Sequence, residues 1–125
     1  MIVVDSSGWI EYANDGPSAA AFEPAILATS DLVVPTIVMY EVTKVLRRSS
    51  ERTARATLGV MLRSKIVDLD ASGAVHGANV SLETGLAMAD AIILATARAH
   101  GAELWTMDAH FEGLPGVRYI ALAGD

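Results

Sequence analysis

An α/β fold, with a mainly parallel sheet between two helical layers, is predicted by three observations. Short apolar, β-branched runs alternate with longer stretches of helical periodicity along the 125-residue chain. The runs are continuously apolar instead of alternating with polar residues, as strands covered on both faces are. Acids stand directly after some of these runs, at the carboxyl edge where open parallel sheets assemble their sites.

The elements follow in order. Ile2 to Val4 is a short strand ending at Asp5. Ser6 and Ser7 open a helix to about Ala13, with Ser as its N-cap and Trp9 and Ile10 on its apolar side. Asn14-Asp15-Gly16-Pro17 marks a turn, and a second helix is expected from Ser18 to about Ala28. Pro24 should kink or split it, because proline lacks a donor and crowds the preceding turn. Leu32 to Val34 is the second strand, closed by Pro35, and the Thr36 hydroxyl is placed to cap a helix over Ile37 to Arg48. Ser49-Ser50 interrupts, and Glu51 to about Lys65 has the pattern of an amphipathic helix. Ile66 to Leu69 is the third strand. Ala71 to about Ser81 reads as a small-residue helix weakened by Gly73 and Gly77, with Glu83-Thr84-Gly85 as a turn. Met88 to Ala99 has the clearest helical periodicity, stopped by Gly101. Glu103 to Met107 is the fourth strand, a short turn or helix reaches Glu112, and Arg118 to Leu122 is a terminal strand. No linker, repeat or low-complexity tract divides the chain, so residues 1–125 are expected to form a single domain.

With 52% hydrophobic residues the chain can bury a continuous core without cross-links. The absence of Cys excludes a disulfide framework, a thiolate zinc site and a Cys nucleophile. The start MIVVDSSGW lacks a basic segment before its apolar run, so it does not resemble a signal peptide, and no stretch approaches the length of a membrane span. A cytoplasmic protein without a membrane partner is the expectation. The net charge is −6, yet seven of the nine basic residues lie between Lys44 and Lys65 against the single acid Glu51, a local balance of +6. Such a stretch suits phosphate contacts through Lys44, Arg47, Arg48, Arg52 and Arg55. A solvated helical face explains it equally well.

Four acids carry most of the chemical information. Asp5 and Asp108 directly follow strand runs, which puts them at the carboxyl edge of the sheet. Glu41 flanks the stripe Val38, Val42, Val45 and Leu46, and Asp90 aligns with Ile93, Leu94 and Ala97, so both face inward. Asp31 precedes its strand and falls at the opposite edge, while Asp68 and Asp70 have no matching helix context. Taken one at a time, each acid is explained by turn, cap or helix-dipole chemistry. Taken together they repel one another unless a divalent cation neutralises them, and an all-oxygen set suits Mg2+ or Mn2+ over zinc. Such a cation can polarise a phosphodiester and activate water, so hydrolysis of a nucleic-acid strand is the natural chemistry.

The segments IVVDSS, MYEVTKVL, GLAMADAIILATARAHG and LWTMDAHF together resemble the PIN-domain ribonucleases, and within them the VapC toxins of bacterial toxin–antitoxin pairs. The resemblance runs from Met1 to about Ile120. It implies a PIN-like sandwich with a five-stranded parallel sheet and an endoribonuclease dependent on Mg2+ or Mn2+. It further implies a VapB-like antitoxin partner and a homodimer whose catalytic pockets share a groove. By motif, Asp5, Glu41 and Asp90 correspond to the core acidic triad and Asp108 to a fourth acid. Ser6 and Thr106 correspond to hydrogen-bonding supports. The basic stretch becomes an RNA-guiding rim, and transfer RNA or a ribosomal RNA loop are the substrates the resemblance implies.

Other residues are weighed against that reading. His110, two residues after Asp108, is set aside because imidazole suits a hard Mg2+ site poorly. His76 and Asn79 are taken as structural, and His100 as a complement to a helix C-terminus. Trp9 and Trp105 are expected to pack within their elements. Phosphotransferring doubly wound domains fit poorly, because Ser7 stands where one class needs an acid and neither Lys follows a late strand. No glycine fingerprint supports a nicotinamide-binding domain. The remaining alternative is a catalytically silent PIN-like module that binds RNA or protein.

Overall fold

The computed structural model describes residues 1–122; the last three residues of the expected domain lie outside the described residues. Five strands form one parallel sheet: β1 (Ile2–Val4), β2 (Leu32–Pro35), β3 (Lys65–Val67), β4 (Glu103–Thr106) and β5 (Val117–Tyr119), in the order β3-β2-β1-β4-β5. Every pairing is parallel, with Val3 opposite Val33 on one side and Leu104 on the other. Every residue of β2 is buried, as the unbroken apolar run Leu32–Val34 demands.

Six helices flank the sheet: α1 (Ser6–Ala13), α2 (Ala19–Leu27), α3 (Thr36–Arg47), α4 (Glu51–Met61), α5 (Ala71–Thr84) and α6 (Met88–Ala99). From β1 to β3 the chain steps in one direction across the sheet, then crosses back to β4. Right-handed crossovers therefore put α5 and α6 on the face opposite α1 to α4. The three-layer α/β sandwich anticipated from the alternating runs is thus the observed architecture. The core joins Val3, Val4, Val33, Val34 and Leu104 of the sheet to Trp9, Phe22, Ile26, Leu46, Ile93 and Leu94 of the helices.

Several local expectations are corrected. Asp5, not a serine, is the N-cap of α1, accepting from the Gly8 N–H at 3.1 Å. Pro24 neither splits nor ends α2, because Phe22, Ala25 and Ile26 on either side of it are buried and hold the nine-residue helix together. Thr36 is the first residue of α3, not its cap; Pro35 occupies the cap position in extended conformation and no side chain caps that end. Val45 leaves the buried stripe of α3 and is exposed, whereas Val38, Val42 and Leu46 are buried. α5 continues three residues further than Ser81, to Thr84, where Gly85 adopts the left-handed conformation (φ 79°) that terminates it. β3 and β5 begin one residue earlier than the apolar runs suggest and end sooner. No single helix among the described residues is long and apolar enough to cross a membrane.

α1 lies so close to the sheet and α2 that a Cβ at Gly8 would sit 2.6 Å from Phe22 Cε1 and 2.7 Å from Val4 Cγ1. Both neighbours are fully buried and have nowhere to move. Gly8→Ala, which in an exposed helix would stabilise by about 1 kcal/mol, is therefore expected to destabilise by about 1–3 kcal/mol, read as a lower urea midpoint.

Candidate metal centre

The strand order reverses at β1, whose neighbours are β2 and β4, so a crevice opens beyond the carboxyl ends of β1 and β4. Asp5 leaves β1 at this point and Asp108 leaves β4. Asp5 is buried, 4% exposed, and both of its carboxylate oxygens are engaged. Oδ1 accepts from the Ser7 hydroxyl at 2.7 Å and from the Gly8 N–H at 3.1 Å, and Oδ2 accepts from the Thr106 hydroxyl at 2.7 Å. Thr106 Oγ1 in turn accepts from the Asp108 N–H at 2.9 Å. One threonine thus ties the two strand-end acids together.

Glu41 and Asp90 reach the same crevice from helices. Glu41 lies in the second turn of α3 and accepts from the Ser6 hydroxyl at 2.6 Å, a bond that joins α3 to the start of α1. Asp90 lies in the first turn of α6, on the side that buries Ile93, Leu94 and Ala97. Asp108 caps a short 3-10 turn over Ala109–Phe111 by accepting from the His110 N–H at 2.9 Å. The His110 ring returns to it, with Nδ1 3.2 Å from Asp108 Oδ1. Asp90, Asp108 and His110 each offer a ligand atom, and those atoms lie within 4.8 Å of one another.

The electrostatics of the crevice are those of an anion cluster. Burial pushes the Asp5 carboxyl up to about 6; hydrogen bonds from Ser7, Thr106 and Gly8 oppose the rise, and the Asp108 charge adds to it. Asp90 is also raised, first by burial, then by the charges of Asp108 and Glu41, with His110 working the other way. Each acid therefore feels at least one of the others. The donor set, four carboxylates with a hydroxyl network behind them, fits a hard divalent cation, and Asp5, Glu41, Asp90 and Asp108 are the residues that could hold it.

The sequence pointed to all four acids and to Ser6 and Thr106. Ser6 serves Glu41 and not its neighbour Asp5. Ser7 was missed: it bonds Asp5, approaches Thr106 Oγ1 at 3.5 Å and accepts from the Met107 N–H at 3.3 Å. Its signal was the Asp-x-Ser spacing, which lets a hydroxyl fold back on the preceding carboxylate. His110, set aside on sequence grounds, stands among the acids. Asp31 lies at the opposite edge, where its carbonyl accepts from the Ile2 N–H at 2.8 Å. Asp70 caps α5, and with Asp68, His76 and His100 it lines a separate cavity of about 130 Å³. His100 caps the end of α6, its Nδ1 2.9 Å from the Thr96 carbonyl. Trp9 is fully buried, and Trp105 packs under the Arg118 guanidinium, 4.3 Å away.

The basic stretch does not present one uniform patch. Lys44, Arg47, Arg48, Arg52 and Arg55 are all exposed, but Arg47 and Arg55 both pair with Glu51 at 3.2 Å. Arg52 instead lines a groove of about 490 Å³ between α1, α2 and α4, together with Trp9, Tyr12, Asp15, Glu23 and Val60. None of the four central acids borders that groove.

The family model of the PIN domain matches residues 2–117. This chain belongs to the PIN-domain family. Solved structures agree in fold. A toxin–antitoxin complex from Klebsiella pneumoniae superposes with a TM-score of 0.83 at 22% identity, over 98% of this chain and 100% of that one. VapC20 of Mycobacterium tuberculosis, described as a sarcin-ricin-loop-cleaving toxin, gives 0.74 at 19% identity, over 98% of both chains. DNA-bound VapBC from Salmonella typhimurium gives 0.72 at 22%, over 97% of this chain and 98% of that one. No curated protein sequence matches this PIN domain.

The raised Asp5 carboxyl makes a prediction for the metal-free PIN domain. The unfolded chain releases this proton near 3.8 and the folded one near 6, so stability falls as pH rises through that window and stays lowered above it. The full effect is about 3 kcal/mol. Asp5→Asn keeps the shape and removes the charge, so with chelator present it should match or exceed the parent in urea at pH 8 and lose that advantage at pH 4. A variant less stable at both pH values would mean that the carboxylate's hydrogen bonds outweigh its burial.

Proposed function

We propose that this PIN domain is a VapC-like toxin, an endoribonuclease dependent on Mg2+ or Mn2+ that a cognate VapB-like antitoxin inhibits. The observation that carries the reading is the convergence of Asp5, Glu41, Asp90 and Asp108 on one crevice, with burial and mutual repulsion raising Asp5 and Asp90. A divalent cation bound there would polarise a phosphodiester and lower the pKa of a water molecule. The chain's own residues do the rest. Thr106 and Ser7 fix the rotamer of Asp5, Ser6 fixes Glu41, and the α6 N-terminus presents Asp90. Lys44, Arg47, Arg48, Arg52 and Arg55 draw in the RNA backbone, with Lys44 on the helix that carries Glu41 and Arg48 at its C-cap.

Likeness to structures described as toxin–antitoxin complexes supports the antitoxin partner. In this reading the antitoxin docks in the groove between α1, α2 and α4. A homodimer belongs to the same reading, and α5 exposes Val75 and Leu82, seven residues apart on one face.

Two measurements test this function. Purified protein incubated with total RNA and Mg2+ should leave 5′-phosphate ends, and Asp5→Asn or Asp90→Asn should slow cleavage by about a hundredfold or more. Cleavage by either variant at the parental rate would overturn the assignment. For the rim, Lys44→Gln with Arg48→Gln should weaken binding of a catalytically inert Asp90→Asn background to single-stranded RNA. It should also reduce the slope of log affinity against log salt by about 1.4.

A further inference from the structure

We propose that His110 is a nitrogen ligand of the cation in this centre, and that it tilts the site toward Mn2+ over Mg2+. The inference rests on the metal-dependent reading above and adds a ligand that the acidic set does not contain. Three features of the chain support it. The ligand atoms of Asp90, Asp108 and His110 lie within 4.8 Å of one another, a spacing that one ion can bridge. Asp90 and His110 also border the same cavity of about 360 Å³, together with Thr84, Gly85, Leu86 and Ala87, so both side chains face one space. Finally, the local backbone fixes the imidazole beside the acids. Asp108 caps the 3-10 turn through the His110 N–H, and Phe111, the next residue, is fully buried and anchors that turn.

The ring geometry suits ligation. His110 Nδ1 is 3.2 Å from Asp108 Oδ1. That separation is about what two neighbouring ligands of one octahedral ion show at roughly 2.1 Å each, so a neutral ring can offer its Nδ1 lone pair to the cation that Asp108 also holds. The other two histidines are elsewhere: His76 lines a separate cavity and His100 Nδ1 is held by the Thr96 carbonyl.

The consequence is selectivity. Mg2+ demands near-ideal octahedral oxygen coordination and sheds its water reluctantly, whereas Mn2+, a transition-metal ion, takes one imidazole among carboxylates more readily than Mg2+ does. A PIN centre made only of carboxylates has no nitrogen with which to separate the two ions; this one does.

The test measures metal binding directly, apart from cleavage. Full-length protein is loaded with Mn2+ and examined by electron spin-echo envelope modulation, and Mn2+ and Mg2+ affinities are measured by calorimetry for the parent, His110→Gln and His76→Gln. The parent should show ¹⁴N modulation from one imidazole, lost in His110→Gln and kept in His76→Gln. His110→Gln should bind Mn2+ about tenfold more weakly while its Mg2+ affinity changes less than about twofold. His110 is exposed and its side chain leaves the core untouched, so the variant is expected to fold like the parent. Bound Mn2+ without ¹⁴N modulation, or equal Mn2+ affinity in parent and His110→Gln, overturns the ligand assignment and leaves the metal-dependent reading standing. Failure to bind either ion overturns both.

Discussion

The site depends on one buried carboxylate. Asp5 sits where β1 becomes α1, and its two oxygens accept from Ser7, Gly8 and Thr106. These bonds hold together the end of β1, the first turn of α1 and the end of β4, so the geometry of the crevice follows from them. They do not fully offset the loss of water around the charge, since the carboxyl remains raised to about 6. A buried anion with satisfied hydrogen bonds and a still-raised pKa lacks a positive charge nearby. Among the described residues no Lys or Arg pairs with any of the four acids. A divalent cation bound there would offset that cost, the condition under which ligand binding contributes directly to stability.

Sheet topology explains why four acids distant in sequence meet. In the order β3-β2-β1-β4-β5 the chain departs from β1 in both directions, and the crevice between β1 and β4 has no crossover helix above it. Asp5 and Asp108 border it from the strand ends. Helices that follow or precede the central strands have their N-terminal turns at the same edge, which brings Glu41 of α3 and Asp90 of α6 alongside. The partial positive charge of the α6 N-terminus also favours an anion at Asp90. Its dipole role and its place in the crevice are compatible, so the structural and functional explanations of this residue coincide.

Most of this was legible in the sequence because burial writes periodicity. Continuous apolar runs marked strands covered on both faces, and the stripe Ile93, Leu94, Ala97 fixed which way Asp90 points. What escaped was set by contacts between distant segments. Pro24 remains helical because Phe22 and Ile26 anchor both sides of it, which no local rule contains. Asp5 outcompetes Ser6 as the N-cap because the chain leaves β1 with Asp5 already extended, at ψ 176°. Ser7 could be found from its spacing alone, but its link to Thr106, 99 residues away, could not. The position of His110 depends on a turn that ligand preferences do not contain: Asp108 caps it, and the ring lies 3.2 Å from that acid.

The charge segregation visible in the sequence takes on a spatial meaning. Glu41 and the C-cap Arg48 are seven residues apart along α3, about 10 Å, close to one Debye length at physiological salt. Rim charges at that range act on the approach of a polyanion and contribute little at the bond to be broken. Glu51 moderates the rim further by pairing with both Arg47 and Arg55, and those exposed pairs are individually weak, so a phosphate can displace them at small cost. The crevice itself, lined by acids, repels phosphate until a cation reverses its sign. If RNA is the substrate, attraction and reaction would therefore be separable: the α3–α4 cations would govern encounter and salt dependence, and a bound cation would govern whether the scissile phosphate can enter at all.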